Sequence, residues 1–290
     1  MTRIIAVVNQ KGGVGKTTTS VNLAASLAAM KRRVLLVDLD PQGNATTGAG
    51  LDKRDLAATV YHVLLGERPV ADVRVASPTG GFDILPANRD LAGAEVELVD
   101  LPEREMRLRE ALAEAPSALS NAKSSRASGY DFILLDCPPS LSLLTLNALC
   151  AADSVLIPMQ CEYYALEGLS DLVQTVQKVR SHLNPKLEIE GLLRTMYDPR
   201  NMLAQNVAAE LEKHFGSRLY RTVVPRNVRL AEAPSYGVPA LLLDKGSKGA
   251  QAYLALAGEV LRRMEAAARA AAKAGTQPSS TSAATGDTTQ

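Results

Sequence analysis

Tryptophan is absent, and the 290-residue chain has only three cysteines, three histidines and three phenylalanines. Cys137, Cys150 and Cys161 form no CxxC pair, which argues against a disulfide framework and fits a reducing compartment. His62, His182 and His214 are scattered, so a zinc site has too few ligands in reach. Neither charge sign prevails: Lys and Arg total 32 and Asp and Glu total 31, a net charge of +1. That balance excludes a globally basic nucleic-acid binder, but not a local basic patch. No apolar run approaches the roughly 18 residues of a membrane span. The N-terminal MTRIIAVVNQ runs straight into glycines without the apolar core of a secretion signal. A cytoplasmic, soluble protein is the expectation.

Hydrophobic residues make up 46% of the chain, enough for a large core. Short apolar runs recur at Ile4–Val8, Arg33–Asp38, Phe82–Pro86, Tyr130–Asp136, Ser154–Pro158, Leu187–Met196 and Tyr220–Val224. Between them, apolar residues near i, i+3, i+4 and i+7 predict helices over Thr17–Met30, Leu166–Ser181, Val207–Phe215 and Gly249–Lys273. Continuous apolar strands alternating with helices predict an α/β fold. Its single doubly wound, mostly parallel sheet carries helices on both faces. Ala115–Gly129 is small, polar and serine-rich, and is expected to be a surface loop. Residues 274–290 carry one charge, Asp287, and no bulky apolar side chain. They are expected to form a disordered tail after one domain spanning residues 1–273.

The strongest motif is Lys11-Gly12-Gly13-Val14-Gly15-Lys16-Thr17-Thr18, between a predicted strand and a predicted helix. Glycines let successive backbone N–H groups turn inward, and the helix N-terminus adds positive potential, so the segment suits phosphate. Lys16 can reach the β- and γ-phosphates, and the Thr17 hydroxyl can ligate Mg²⁺. The pattern departs from the usual form: Gln10 stands at the first glycine and Lys11 adds a cation. Two apolar runs end in carboxylates, VDLDPQGN with Asp38 and Asp40, and FILLDCPPS with Asp136. Ligands of open parallel sheets bind beyond the strand C-termini, where such carboxylates can hold Mg²⁺ through water or orient an attacking water. The spacing alone does not divide these roles.

QKGGVGKTT resembles the deviant Walker A loop of the ParA/MinD ATPases. LVDLDPQGNAT (36–46), LAGAEVEL (91–98), LLDCPPSL (134–141), PMQCEYYALEGL (158–169) and VPRNVRLAEAPSYG (224–237) are similar to ParA/Soj partitioning ATPases. The resemblance covers roughly residues 1–265, and with the phosphate loop beginning at residue 11 an extra N-terminal DNA-binding domain is not expected. It implies a P-loop NTPase using ATP and Mg²⁺, with weak, partner-stimulated hydrolysis. It implies that Lys11 contacts the opposite subunit's nucleotide in an ATP-bound sandwich dimer. Lys16 and Asp40 then join Lys11 in catalysis, Asp40 positioning the water and Asp38 supporting it. Asp136 belongs to the magnesium shell with Thr17, and Pro225 and Asn227 contact adenine. Residues 11–18 cradle the phosphates. The dimer is expected to bind double-stranded DNA without sequence preference. Arg200 and Arg229 match DNA-contacting positions, with Arg226 beside them and Lys245 and Lys248 adding to the basic surface. A ParB-like centromere-binding protein is the expected partner, and the nucleoid the expected location.

Three rivals follow from the same residues. A MinD-like membrane-associated ATPase would need an amphipathic C-terminal helix, but Gly258–Lys273 offers Val260, Leu261 and Met264 and otherwise mostly alanine. An iron–sulfur relative would need bridging cysteines, whereas such residues more often pack as small hydrophobes. A scaffold using ATP only as structural glue would have no need of Asp40.

Overall fold

A computed structural model describes residues 2–118, 129–163 and 165–274. Its strands are β1 (Arg3–Val7), β2 (Val34–Asp38), β3 (Val75–Ala76), β4 (Asp83–Leu85), β5 (Phe132–Asp136), β6 (Ser154–Gln160), β7 (Glu188–Thr195) and β8 (Leu219–Val223). They form one sheet in the order β3-β4-β2-β5-β1-β6-β7-β8. Every pairing is parallel except β3 with β4.

Alternation along the strands sends side chains to both faces. Ala6, Leu35, Val37, Ile133, Leu135, Val155 and Ile157 pack into one core. Ile5, Val7, Val34, Leu36, Phe132, Leu134 and Leu156 pack into the other. Both faces are covered, which is why these strands read as unbroken apolar runs rather than alternating ones.

The second face is closed by the Lys16–Ala29 helix and the C-terminal Lys248–Ala274 helix. Tyr253 and Thr19 share a buried hydrogen bond of 3.1 Å between their hydroxyls. Asn22 Oδ1 accepts from the Ala240 amide at 2.8 Å. These polar contacts fix the C-terminal segment against the helix that follows the glycine loop. Val260 is buried, and Leu261 and Met264 pack against the core. Residues 265–270 beyond them, EAAARA, are exposed. Within the described residues the helix's apolar side is therefore used inside the fold. No described helix is long and apolar enough to cross a membrane.

Three expectations need amendment. Residues 115–118 close the Arg107–Ala118 helix instead of starting a loop. Ala115 and Ala118 favour helix and Ser117 costs little, whereas Pro116 lacks an N–H and opposes it, so composition there does not decide where the helix ends. Residues 119–128 lie outside the described ones, as do 275–290. The C-terminal helix ends at Ala274, one residue past the expected boundary. The Met202–Phe215 helix starts five residues before the expected Val207, because Asn201 caps it: its Oδ1 accepts from Leu203 N at 2.9 Å.

Candidate functional site

β1, β5 and β2 end level with one another. Val7 is the register partner of Asp136, and Asp136 that of Asp38. The glycine loop leaves β1 and enters the Lys16–Ala29 helix through Gly15 at φ +89°, a left-handed backbone that glycine adopts freely. Gly13 is also left-handed, at φ +73°. The loop is held from the side by the ends of β6 and β7. Thr195 Oγ1 donates to Val14 O at 2.8 Å, and Gln160 Nε2 donates to Gly13 O at 3.3 Å. Asn9 Nδ2 donates to Pro158 O at 2.8 Å.

The two lysines take opposite directions. Lys16 folds back beneath the loop, its Nζ donating to Lys11 O at 3.1 Å, and it is buried. That burial lowers its pKa, and the charges of Asp136 and Asp40 oppose the shift. Lys11 points away, pairing with Glu162 Oε2 at 2.5 Å with 47% of its side chain exposed.

The carboxylates divide just as clearly. Asp38 is fully buried and spends its oxygens on the protein. Oδ2 accepts from Thr46 N and Thr46 Oγ1, each at 2.8 Å, and Oδ1 accepts from Asp40 N at 3.2 Å. It shapes the turn that carries Asp40. Asp40 is half-buried and accepts from Gln42 N at 2.9 Å through Oδ1. Gly43 closes this turn at φ +62°, where a Cβ would stand 2.7 Å from Ala87 O. Asp136 is buried, with Oδ1 accepting from Ser20 Oγ at 2.7 Å. Its Oδ2 is buried and has no hydrogen-bond partner among the described residues. Burial, then the charge of Asp38, raises its pKa, and the nearby Ser20 and Thr17 hydroxyls oppose the shift. Asp38 is likewise raised by burial, against its bonds to Thr46.

Beside the loop opens a cavity of about 470 Å³. Gly15 and Thr18 form one wall, Thr195 and Met196 another, and Val224, Pro225 and Asn227 a third. The Asn227 Oδ1 is buried and unpartnered among the described residues. Residues more than two hundred positions apart in sequence thus meet, because the Tyr253 and Ala240 contacts hold the C-terminal segment there. A largely apolar slot with one buried polar atom, continuous with an amide-rich loop, suits a flat heterocycle joined to phosphates.

The AAA domain family matches residues 2–189. The chain is 51% identical to the chromosome partitioning protein ParA of Caulobacter vibrioides over 262 residues, covering 90% of this chain and 94% of that one. It is 54% identical to the sporulation initiation inhibitor protein Soj of Bacillus subtilis over 260 residues, covering 90% and 98%. The chain belongs to the ParA/Soj family of partitioning ATPases. Among solved structures it is similar to cobyrinic acid a,c-diamide synthase from Mycobacterium smegmatis, solved with ADP and magnesium. The TM-score is 0.76 at 38% identity, covering 91% of this chain and 96% of that one.

For a ParA/Soj member, the fold gathers most of the expected residues. Asp136 and Asp40 lie near Lys16 on one side of the glycine loop, and Gly15 and Thr18 share a cavity with Pro225 and Asn227 on the other, while Lys11 points out to Glu162. Arg200 and Arg229 are exposed outside that cavity, and Arg226 is exposed at its wall beside Pro225 and Asn227. Arg200 pairs with Asp198 at 2.8 Å, and Arg229 with Glu232 at 2.8 Å and Asp244 at 3.4 Å. The three cysteines are buried in the first core. Burial raises all three thiols, Cys150 and Cys161 to about 11. They pack as small hydrophobes, and among the described residues no three His, Cys, Asp or Glu converge as a metal site. Sequence reading missed the supporting ring of Ser20, Gln160, Thr195, Met196 and Tyr253. Ser20 was within reach, since it lies four residues after Lys16 and so shares its helix face. Nothing in the sequence announces Thr195 or Gln160 beyond their positions at strand ends.

Proposed function

We propose that the chain is an ATP-driven partition switch, in which ATP binding assembles a sandwich dimer that holds DNA and hydrolysis releases it. The observation that carries this reading is the divergence of the two loop lysines. Lys16 is buried under its own loop, whereas Lys11 is held at the rim, free to exchange Glu162 for the phosphates of a second subunit.

The residues fit the ligands. The buried, unpartnered Oδ2 of Asp136 and the Thr17 hydroxyl are a hard-oxygen set suited to Mg²⁺, Asp136 acting through water. Bound Mg²⁺ supplies neutralisation of the phosphate charge. The loop amides and Lys16 hold the phosphates, and Pro225 and Asn227 hold the adenine. In hydrolysis a water oxygen bonds to the γ-phosphorus as the bond to ADP breaks. Asp40, whose second oxygen has no partner among the described residues, orients that water. Its backbone is fixed by Asp38, so the carboxylate is placed before substrate arrives.

The exposed Arg200, Arg226 and Arg229 suit phosphate contacts, which give affinity without sequence information. A ParB-type partner stimulates weak turnover and returns the protein from the nucleoid to the cytoplasm. Light scattering with ATP, ADP and no nucleotide tests the reading. Wild type is expected to double its mass only with ATP, and Lys11→Ala is expected to bind ATP yet stay monomeric. ATP-dependent dimers of Lys11→Ala would remove the assignment.

A further inference from the structure

Among the described residues three non-glycines have a left-handed backbone, Lys31, Glu103 and Met196. Of these, Met196 alone lines the cavity beside the glycine loop. It follows the last residue of β7 and stands at φ +49°, a region that non-glycine residues rarely adopt. Such a conformation persists only where the surroundings hold it, and it collects at sites that bind or switch. Here both neighbours are tied. Thr195 Oγ1 donates to Val14 O of the loop at 2.8 Å. Tyr197 N donates to Val224 O at 3.0 Å, and Val224 N donates to Arg194 O at 2.9 Å. Met196 is therefore pinned between the phosphate loop and the segment that leads into Pro225 and Asn227.

Gln160, at the end of β6, joins these parts. Its amide nitrogen carries two hydrogens and has two acceptors, Gly13 O at 3.3 Å and the Met196 sulfur at 2.8 Å. Gln160 is half-buried and is not among the residues that line the cavity. It bears on an occupant only through Met196 and the loop. The bond to Gly13 has a directional consequence. In a trans peptide the C=O and the following N–H point in opposite directions. Holding Gly13 O toward Gln160 therefore aims the Val14 N–H away from it, and holding Val14 O toward Thr195 aims the Gly15 N–H likewise. Two amides of the phosphate cradle are thus oriented from outside the loop, by the ends of β6 and β7. Two residues beyond Gln160, Glu162 holds Lys11, so the same strand end meets the loop twice.

We infer that Gln160 is a positioning residue that couples the base cavity to the phosphate loop. A base in the cavity settles Met196, the Met196 sulfur holds the Gln160 amide, and Gln160 aims the Val14 N–H at the phosphates. Base and phosphates then assist each other's binding, a coupling that must be the same in both directions. Sulfur is a weak acceptor, so the bridge is modest and depends on where the Met196 side chain sits. The inference rests on the reading of the cavity as the adenine site.

Calorimetric titration of the full-length protein with ATP and with inorganic tripolyphosphate, each with Mg²⁺, tests the coupling. Tripolyphosphate brings phosphates without a base, so the ratio of the two affinities reads the coupling and cancels any loss common to both ligands. Wild type is expected to prefer ATP, and Gln160→Leu to lower that preference about fivefold, the effect of one hydrogen bond. Met196→Leu keeps the bulk of the side chain and removes the sulfur, and the same loss is expected. The double variant is expected to lose about fivefold as well, because both substitutions cut one bridge. Gln160→Glu keeps the shape without the two donors, and reports the bridge if the leucine variant fails to fold. A merely structural Gln160 would weaken both ligands together and leave the preference unchanged, which would overturn the proposal. Losses that multiply to about twenty-five-fold in the double variant would also overturn it, since they would belong to two independent contacts. Wild type with no preference for ATP would remove the base site itself, and with it the assignment of Pro225 and Asn227.

Discussion

At the residue scale the proposed switch turns on a few carboxylates and lysines with separate tasks. Asp38 and Asp136 stand side by side on neighbouring strands, both buried, and both are raised in pKa. A carboxylate with a raised folded-state pKa stabilises the fold most when protonated, so its contribution is lost as pH rises through that raised value. Metal-free protein is therefore expected to lose thermal stability from the ordinary carboxylate range upward through neutrality. Asp136→Asn removes the buried charge and flattens that dependence, while abolishing the gain in Tm that Mg²⁺ and ATP give wild type. Melts across pH, with and without Mg²⁺ and ATP, check both. Asp38→Ala behaves differently. It leaves Thr46 and the Asp40 amide without their acceptor inside the fold, at a cost of about 2–4 kcal/mol in unfolding free energy. Gly43→Ala places a methyl against the Ala87 carbonyl and is expected to misplace Asp40, lowering kcat for ATP hydrolysis more than it raises KM. Equal turnover in Gly43→Ala would show that the turn's shape is not what sets Asp40.

At the scale of elements, the long C-terminal helix does two jobs. It carries Tyr253 to Thr19, at the wall of the cavity beside the glycine loop, and it covers the edge of the sheet. Glu259 accepts from the Arg221 and Thr222 amides at 2.9 Å each, and Arg263 donates to Leu219 O at 2.9 Å. Arg263 also sits 4.0 Å above the Tyr220 ring. β8 would otherwise present open N–H and C=O groups, a template for unwanted strand pairing. Arg263→Ala removes a hydrogen bond, an ion pair and the ring contact together, for about 1–3 kcal/mol. A denaturant midpoint shifted down, with ATP-dependent dimerisation retained, is the expected result. The same helix shows why part of the fold was legible. Its apolar period is long and survives as one buried stripe, whereas Lys16–Ala29 is buried all round from Thr19 to Leu27. The Leu143–Ala151 helix, LLTLNALCA, is apolar nearly all round, so no period marks it. β3 is two exposed residues, Val75 and Ala76, and carries no pattern at all.

For the whole molecule, the sheet order explains what sequence could and could not place. The loop, Asp40 and Asp136 were legible because each follows an apolar run, and parallel strands bring those ends to one edge. The cavity beside the loop required the C-terminal segment to return across the sheet face, fixed by Asn22 and Tyr253, and neither residue advertises that contact. Resemblance supplied Pro225 and Asn227; chemistry alone would not have. The charge total, +1, likewise gives no sign of the exposed Arg200, Arg226 and Arg229. Arg229→Glu is expected to weaken DNA binding and to lower the log–log salt slope by about 0.9 for each DNA phosphate that is no longer neutralised. ATP-dependent dimerisation should remain, since Arg229 lies outside the cavity beside the loop. An unchanged slope would move the DNA surface elsewhere.

The most direct test of the switch is binding to random-sequence duplex DNA with ATP, ADP and no nucleotide across a salt series, with wild type and Lys11→Ala and with liposomes in parallel. A partition switch predicts binding by wild type only with ATP, steep weakening with salt, and no binding by Lys11→Ala. Binding to DNA regardless of nucleotide, or to liposomes instead of DNA, would contradict it.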